Sequence, residues 1–241
     1  MKAIILAAGY GTRLYPITEN TAKSLLHVGK KPMINYVVER IIKVKEVDEI
    51  LVVTNDRFYN DFITWKNMQN YPIKIEIIND GTKSNDERLG AAGDILFVLN
   101  KTNINDWTLI VAGDNLFGFD LNEMVDLGKD KSSSVIALIK EERRKIANKL
   151  GNVKLKLDLV VKFEEKPENP ETNIAATACY LFSPKDIKLI RKDLSNKKFN
   201  NSGNIMEHLV KKSKLYGVVY EEFWYDIGTK EEYLNVRQIF G

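Results

Sequence analysis

The feature that most constrains this chain is a junction near its beginning, where an apolar run meets a glycine loop. Residues 3–8 carry no polar side chain, and Gly9, Gly11, Thr12 and Arg13 follow at once. An uninterrupted apolar run is typical of a strand that is covered on both faces. Glycines let backbone N–H groups approach an anion closely, and a cation can neutralise it. The junction predicts a buried strand that ends in a phosphate-binding loop.

Apolar strand-like runs and helix-like stripes alternate through the first half of the chain. Strands are predicted at 3–7, 50–54, 73–78, 108–112 and 135–138, and helices at 33–44, 58–65, 90–99 and 121–127. This alternation predicts an α/β fold with an open, mostly parallel sheet and helices on both faces. In such sheets ligands bind beyond the carboxyl ends of the strands. The glycine loop and Asp114 are therefore expected at the same edge.

The pattern is looser in the second half. It predicts a hairpin at 153–157 and 160–164, strands at 176–182 and 217–220, and helices at 184–191, 205–211 and 230–239. No internal repeat or linker interrupts the chain. We therefore expect one continuous domain over residues 1–241.

Charge and cysteine content exclude several classes of protein. The 36 basic and 33 acidic residues are mixed along the chain, which argues against a nucleic-acid partner. The densest charged run, residues 140–145, is interpreted as a solvated helix face. The single cysteine, Cys179, is interpreted as a buried thiol. One cysteine cannot form a disulfide within the chain, which fits a reducing compartment. The first apolar run is too short for a membrane span and lacks a signal-peptide pattern, so a cytoplasmic protein is expected.

Four later stretches carry residues that could do chemistry, and each also has a purely structural interpretation. Asn85 lies in a polar loop, Asp114 could cap a helix, Lys166 could belong to an exposed salt-bridged edge, and Asp226 could be a turn residue. The glycine loop itself is no dinucleotide fingerprint, because Leu14 stands where the third glycine should be. A nicotinamide-dependent dehydrogenase is accordingly disfavoured.

The opening stretch LAAGYGTRLYPITENTAKSLLHVGKKPMI closely resembles the signature of the sugar-1-phosphate nucleotidyltransferases. The later stretches VAGDN, FEEKP and WYDIGT resemble further motifs of this family, in the family's order. The chain is most similar to a short form of the glucose-1-phosphate thymidylyltransferases. Two departures are visible: Ala8 replaces a frequent glycine, and Ala22 and Ser24 flank Lys23 where prolines are usual.

The resemblance implies a Rossmann-like, three-layer α/β/α fold with a mostly parallel mixed central sheet. It also implies a nucleotide-binding half at about residues 1–139 and a sugar-phosphate-binding half at about 140–241. Mg²⁺, a hard cation that prefers oxygen ligands, would be held by Asp114 and Asp226.

The family motifs assign the remaining roles. Arg13, Lys23 and Lys166 would be catalytic. The nucleotide would be bound by Leu6, Ala8, Gly9, Gly11, Thr12, Arg13, Lys23, Asn85, Gly90 and Asp114. The sugar phosphate would be bound by Asn115, Gly151, Glu165, Lys166 and Ala176.

The implied reaction joins a nucleoside triphosphate, with dTTP or UTP favoured, to a sugar-1-phosphate, with glucose-1-phosphate favoured. Mannose-1-phosphate with GTP stays open because of the L-G-x-A-G pattern at 89–93, and phosphocholine with CTP because of LAAG. A non-catalytic subunit that senses sugar nucleotides is the alternative from another class. A homo-oligomer is left open.

Overall fold

The computed structural model describes residues 1–142, 148–194 and 201–241. The strands are β1 (Lys2–Leu6), β2 (His27–Val28), β3 (Lys31–Pro32), β4 (Glu49–Thr54), β5 (Lys74–Asn79), β6 (Thr108–Ala112), β7 (Asn115–Phe117), β8 (Ser134–Lys140), β9 (Gly151–Lys156), β10 (Leu159–Glu165), β11 (Ile174–Phe182), β12 (Leu215–Tyr220) and β13 (Trp224–Asp226). The helices are α1 (Met33–Ile41), α2 (Tyr59–Asn67), α3 (Gly90–Thr102), α4 (Asn122–Lys131), α5 (Pro184–Leu194), α6 (Gly203–Lys212) and α7 (Lys230–Phe240).

The described strands form a nine-stranded sheet in the order β5-β4-β1-β6-β11-β8-β12-β10-β9. Strands β5, β4, β1 and β6 run parallel to one another, and β8 runs parallel to β12. Strand β11 runs antiparallel to both β6 and β8, and β10 runs antiparallel to β12 and β9. The sheet is therefore mixed and mostly parallel in its first half, which confirms the predicted fold class. From β1 the chain moves outward to β4 and β5 and then returns to β6, so strand order reverses between β1 and β6.

Helices cover both faces because the central strands are apolar on both sides. In β1, Ala3 and Ile5 join a core with α1, α2 and α4, whereas Ile4 joins a second core with α3, α5 and α6. A polar residue in this strand would have to be buried on one face or the other. A third cluster packs α7 against the loop after β1, with Val236 beside Leu14.

Several predicted elements differ from the observed ones at their ends. Val44 is buried as its apolar stripe suggested, but α1 ends at Ile41. Strand β11 begins at Ile174 and bulges near Ala178, whose φ is 59°. Two small sheets, β2 with β3 and β7 with β13, were not predicted from the sequence. Their strands have only two or three residues, which is too short for a recognisable pattern of alternation.

Two interpretations based on composition can be compared with the structure. Cys179 is fully buried, as expected, and burial raises the pKa of its thiol to about 12. In the charged run 140–145, Lys140 ends β8 rather than lying in a helix, and residues 143–147 lie outside the described residues. Within the described ranges, no helix combines the length and apolarity that a membrane crossing requires.

Candidate active site

The loop after β1 and the loop after β6 lie side by side at the carboxyl edge of the sheet. Leu6 pairs with Ala112, and the Gly113 N–H donates to the Leu6 carbonyl at 2.9 Å. A Cβ on Gly113 would come within 2.9 Å of the Ser24 Oγ, so this approach requires glycine. Asp114 therefore follows directly at the point where strand order reverses, where ligands bind in open α/β sheets.

The glycine loop is held in its conformation by hydrogen bonds from Thr18 and Asn55. Gly11 has a φ of 64°, a left-handed conformation that glycine adopts without strain. Its carbonyl accepts a hydrogen bond from the Thr18 hydroxyl at 2.7 Å. The buried side chain of Asn55 donates to the Ala8 carbonyl at 2.9 Å, and its Oδ1 accepts from the Phe58 N–H. The loop is thus fixed to the end of β4 before any ligand binds.

Two cations reach this edge. Lys23 lies in a short 3₁₀ turn and pairs with the Asp114 carboxylate, with both side chains mostly buried. Arg13 also lies in a 3₁₀ turn, and its guanidinium forms no hydrogen bond or ion pair with any residue that the structure describes. Arg13 is therefore available to an anion, whereas Lys23 must leave or share Asp114 to reach one.

A cavity of about 460 Å³, which we call the loop cavity, opens between these elements. It is lined by Leu6, Ala7, Gly9, Tyr10, Gly11, Thr12, Arg13, Leu14, Lys23, Ser24, Asn85, Arg88, Asp114, Lys166 and Gly228. Most residues expected at the nucleotide are therefore together in one cavity. Ala8 and Gly90 lie outside the lining, Ala8 as a buried residue and Gly90 as the first residue of α3.

A second cavity of about 440 Å³, which we call the Trp224 cavity, adjoins the first. Its lining is Arg13, Glu141, Asn148, Lys149, Leu150, Lys166, Trp224, Tyr225, Asp226, Gly228, Thr229, Glu232, Asn235 and Val236. The two cavities share Arg13, Lys166 and Gly228. The shared boundary thus carries two positive charges, where anionic groups bound in both cavities could meet.

Asp226 reaches Asp114 through the small sheet of β7 and β13. In this sheet Asp226 pairs with Asn115, and the Ile227 N–H donates to the Asp114 carbonyl at 3.4 Å. The Asp226 side chain is exposed to solvent where it lines the Trp224 cavity, although many protein atoms lie around its carboxylate. This loss of hydration, followed by repulsion from Asp114, raises the pKa of Asp226 to about 6, while Lys23 and Arg13 oppose the rise.

The predicted sugar-phosphate residues divide into two groups. Lys166 faces both cavities, and its backbone is in the left-handed region with a φ of 51°. The Glu165 carboxylate lines neither cavity; it packs against Gly203 at the start of α6, and burial raises its pKa. The Glu165 N–H donates to Glu207 Oε1 at 3.1 Å. The Glu165 Oε1 also lies 3.5 Å from the Lys166 Nζ, so the two side chains of the motif are ion-paired. Lys166 lines the site, and a contact of Glu165 with a sugar stays a prediction.

Asn115, Gly151 and Ala176 are buried and also lie outside both linings. The Asn115 Nδ2 donates to the Thr177 carbonyl at 2.7 Å, where it ties β7 to β11. Gly151 packs against the ring of Phe163. These residues support the walls of the site, and any contact of theirs with a sugar stays a prediction.

The sequence analysis assigned no role to several lining residues, among them Tyr10, Arg88 and Glu232. Tyr10 and Arg88 lie inside stretches that were singled out, so an inspection of every position there would have found them. Glu232 had a separate signal, the capping box of Thr229 and Glu232 that opens α7. Its carboxylate accepts from the Gly228 N–H at 2.8 Å, which fixes the turn after Asp226.

The donor set of the site fits Mg²⁺. Asp114 and Asp226 offer carboxylate oxygens, and in the described part of the chain no cluster of three or more potential metal ligands exists. Mg²⁺ is usually held by one or two carboxylates together with substrate phosphates, whereas structural sites use a full protein cage. The Lys23 ammonium already serves Asp114 as a positive partner. The two carboxylates of Asp114 and Asp226 are therefore suited to a Mg²⁺ ion that binds together with the phosphates of a substrate.

The comparison of this chain with known families gives one assignment. The nucleotidyl transferase family matches residues 2–240, and the chain belongs to this family. The resemblance read from the sequence motifs is thereby confirmed.

The curated relatives differ in their stated substrates. The chain is 28% identical over 240 residues to the bifunctional protein GlmU of Methanocaldococcus jannaschii, covering 99% of this chain and 54% of that protein. It is 26% identical to a glucose-1-phosphate adenylyltransferase of Acetivibrio thermocellus, covering 96% and 58%. It is also 26% identical to a putative mannose-1-phosphate guanyltransferase of Sulfolobus acidocaldarius, covering 98% and 62%. The chain thus spans between about half and two-thirds of the length of these relatives.

Solved structures share the whole fold. A putative glucose-1-phosphate thymidylyltransferase of Bacillus anthracis superposes with a TM-score of 0.87 at 25% identity, covering 100% of this chain and 95% of that chain. A UDP-glucose pyrophosphorylase complexed with UDP-glucose superposes with a TM-score of 0.82 at 19% identity, covering 99% and 97%. The second likeness concerns the fold alone.

Proposed function

We propose that this protein transfers a nucleotidyl group from a nucleoside triphosphate to a sugar-1-phosphate and releases pyrophosphate. The observation that carries the proposal is the convergence of three cations and two carboxylates where two cavities meet. The cations are Arg13, Lys23 and Lys166, and the carboxylates are Asp114 and Asp226. One cavity has the size and phosphate-binding loop for a nucleotide, and the other offers a place for the acceptor.

The reaction needs little covalent chemistry from the protein. An oxygen of the sugar phosphate attacks the α-phosphorus, a new P–O bond forms, and the bond from the α-phosphorus to the bridging oxygen breaks. Pyrophosphate leaves with that electron pair. The attacking phosphate monoester is already ionised near neutral pH, so no general base is required. Bringing two anions together and offsetting their charge is the main task.

The two cavities divide this task. The glycine loop holds the triphosphate in the loop cavity, with Lys23 and Arg13 at its phosphates. Lys166 holds the attacking phosphate at the shared boundary. A Mg²⁺ held by Asp114 and Asp226 would offset charge at the α-phosphate.

The ion pair of Lys23 and Asp114 gives this scheme a defined starting state. With no nucleotide bound, Lys23 neutralises Asp114. When phosphates enter the loop cavity together with a divalent cation, Lys23 can exchange its carboxylate partner for a phosphate partner. The exchange keeps every charge paired, so neither group becomes a buried, isolated ion.

For substrates we propose dTTP or UTP with glucose-1-phosphate. The likeness to the putative glucose-1-phosphate thymidylyltransferase of Bacillus anthracis, of whose chain 95% is covered, supports this choice. Asn85 lines the loop cavity, and an amide can both donate to and accept from a pyrimidine edge. The relatives include an adenylyltransferase, a putative guanyltransferase and the bifunctional protein GlmU, so the experiment must also include other bases and other sugars.

A matrix of substrates tests the proposal directly. Purified protein is incubated with each of dTTP, UTP, CTP, GTP and ATP, and with glucose-1-phosphate, mannose-1-phosphate, N-acetylglucosamine-1-phosphate or phosphocholine. Pyrophosphate release is measured with and without Mg²⁺. We expect release only when a triphosphate, an acceptor phosphate and Mg²⁺ are all present.

Two variants of neighbouring lysines sharpen the result. Lys166→Ala should lose most of the release because it removes a cation that both cavities share. Lys162→Ala is the matched control, since this exposed lysine pairs with Glu164 on the same strand and with Glu171 in the loop before β11. If no pair of substrates releases pyrophosphate while sugar nucleotides still bind, the protein is a sensing subunit and the enzymatic proposal is wrong.

A further inference from the structure

Two neighbouring aspartates have no role in the proposed chemistry. Asp80, which is half-buried, follows β5, and Asp94, which is only 5% exposed, lies in α3. The two carboxyl groups act on each other electrostatically. No N–H or hydroxyl group in the described residues reaches the buried Asp80 Oδ2 or the buried Asp94 Oδ1. Two neighbouring carboxylates repel each other when both are ionised, so the pair favours the state that holds one proton.

The surroundings decide which carboxyl group carries this proton. Burial raises the pKa of Asp80 as well, but its Oδ1 accepts from the Thr82 N–H at 2.7 Å and from the Thr82 hydroxyl at 2.8 Å, and both bonds favour the ionised form. Asp94 has no comparable donors. Burial, followed by the negative charge of Asp80, raises the pKa of Asp94 to about 8. Asp94 is therefore the protonated partner.

A chain of hydrogen bonds joins this pair to the loop cavity. The Thr82 hydroxyl donates to Asp80 and accepts from the Tyr10 hydroxyl at 3.2 Å. Tyr10 is buried in the glycine loop and lines the loop cavity. The Thr82 carbonyl in turn accepts from the Asp56 N–H at 2.9 Å. Tyr10 forms part of the wall of the loop cavity, and we call this part the Tyr10 wall. Its position depends on the carboxyl pair through the hydrogen bonds of Thr82.

The other charges that act on this cluster are also negative. Asp56, after β4, acts on both Asp80 and Tyr10, and Glu87, in the loop before α3, acts on Tyr10. Ionisation of Asp94 would place a second negative charge beside that of Asp80, in a region that the carboxylates of Asp56 and Glu87 already make negative. Repulsion would then push α3 and the 80–82 turn apart, and it would weaken the hold on Tyr10.

We propose that Asp80 and Asp94, sharing one proton, form a positioning pair that keeps the Tyr10 wall of the loop cavity in shape for a nucleoside triphosphate. When the pair loses this proton, Tyr10 is no longer held in the position that suits the triphosphate. The proposal rests on the proposed binding of a nucleotide in the loop cavity. The pair touches no substrate and acts only through Thr82 and Tyr10.

The test measures nucleotide affinity against pH in wild-type protein and in Asp94→Asn. The asparagine amide can still donate to Asp80 but cannot ionise. The Kd of the best-binding triphosphate among dTTP, UTP, CTP, GTP and ATP is measured by calorimetry from pH 6.5 to pH 9.5. We expect the ratio of wild-type Kd to variant Kd to be near one at pH 6.5 and to rise about tenfold at pH 9.5. A ratio that stays constant across this range would overturn the proposal.

Thr82→Val tests the connecting residue separately. Valine has nearly the same shape but removes the hydroxyl that links Tyr10 to Asp80. With this variant as background, Asp94→Asn should no longer change the pH dependence of Kd. In the single variant Thr82→Val the pH dependence of thermal stability should persist, because both carboxyl groups of the pair are still present. A Kd that still follows the titration would contradict the chain through Thr82.

The two proposals fail in different ways. If none of the five triphosphates binds at any pH, the proposed function is wrong and the positioning role fails with it. If a triphosphate binds and the Kd ratio stays flat, the proposed function survives and only the positioning role is lost.

Discussion

Single residues at the edge of the sheet have backbone conformations that serve the two cavities. Gly11 and Lys166 are both left-handed, with φ values of 64° and 51°. For glycine this conformation is free of strain, whereas for lysine it costs on the order of 1–2 kcal/mol. Strained residues of this kind concentrate at functional sites because the surroundings over-determine them. The placement of Lys166 where both cavities meet is consistent with that rule.

Gly11→Ala should destabilise the protein by about 1–2 kcal/mol, because alanine is strained at this φ and its Cβ would lie 3.1 Å from the Thr18 side chain. Gly9→Ala is the matched control, since a Cβ at Gly9 meets nothing within 4 Å. It should change the free energy of unfolding by less than about 0.5 kcal/mol. Urea unfolding of both variants measures the difference. Equal losses in the two variants would contradict the conformational argument.

Asp94→Asn should stabilise the protein at neutral and alkaline pH. The folded state holds the Asp94 proton up to about pH 8, whereas the unfolded chain releases it near the ordinary value of 3.8. Since the folded state binds more protons between these values, wild-type stability falls as pH rises from about 4 to 8. The variant lacks this loss and should be more stable by about 1–3 kcal/mol at pH 7.5, with part of the gain offset by burial of the amide.

The measurement is the free energy of unfolding in urea at pH 5, 6, 7 and 8. The advantage of Asp94→Asn should be small at pH 5 and should grow with each step. A constant difference would show that Asp94 does not hold a proton in the folded protein.

At the level of elements, α5 is attached to the sheet through a buried aspartate at its beginning. The Ser183 hydroxyl caps α5, because it accepts from the Asp186 N–H, and it donates to the Asp186 carboxylate at 2.8 Å. The Asp186 carboxylate also accepts from the Ser134 N–H and from the Ser134 hydroxyl at 2.6 Å. The Asp186 side chain thus joins the cap of α5 to β8.

Asp186→Ala should lower the free energy of unfolding by about 2–3 kcal/mol, because it leaves buried donors of Ser134 and Ser183 without an acceptor. Asp130→Ala is the control, since this aspartate pairs with Lys131 on the surface and should matter by less than about 0.5 kcal/mol. Chemical denaturation followed by circular dichroism compares the two. A loss below about 1 kcal/mol for Asp186→Ala would contradict the assigned role.

At the level of the whole molecule, the two halves of the chain complete one site. Asp114 follows β6, and Asp226 comes from near the end of the chain; the pairing of β7 with β13 brings them together. Strand β11 lies between β6 and β8 in the same sheet, so both halves also share one framework. A ligand that contacts both carboxylates should therefore stabilise the fold as a unit.

A bound triphosphate with Mg²⁺ should raise the thermal midpoint by about 5–10 °C at a concentration of 100 times its Kd. Asp226→Asn should remove most of the increment that Mg²⁺ adds, because it replaces one of two proposed ligands, and it should leave the smaller shift from the triphosphate alone. Differential scanning fluorimetry with and without Mg²⁺ measures both shifts. An unchanged Mg²⁺ increment would show that Asp226 is no metal ligand.

The limits of sequence-based prediction are clearest in neighbouring residues of one motif. Lys166 was expected at the sugar phosphate and lies at the shared boundary, but Glu165 beside it packs against Gly203. The Glu165 carboxylate still lies 3.5 Å from the Lys166 Nζ. A left-handed residue breaks the regular alternation of a strand, so the sequence could not reveal which of the two side chains lines the cavity. The contact of Tyr10 with Thr82 could not be predicted from local patterns either, since it joins residues 72 positions apart.

The amino-acid sequence by itself determined the apolar strands, the glycine loop and the family, because periodicity and motif spacing are local properties. Only the tertiary structure decided that Arg13, Lys166 and Asp226 meet around Asp114, since strand pairing sets which distant loops share an edge. It also decided the state of Asp94. A carboxyl group is acidic in any sequence, and only burial against a second carboxylate makes it keep its proton.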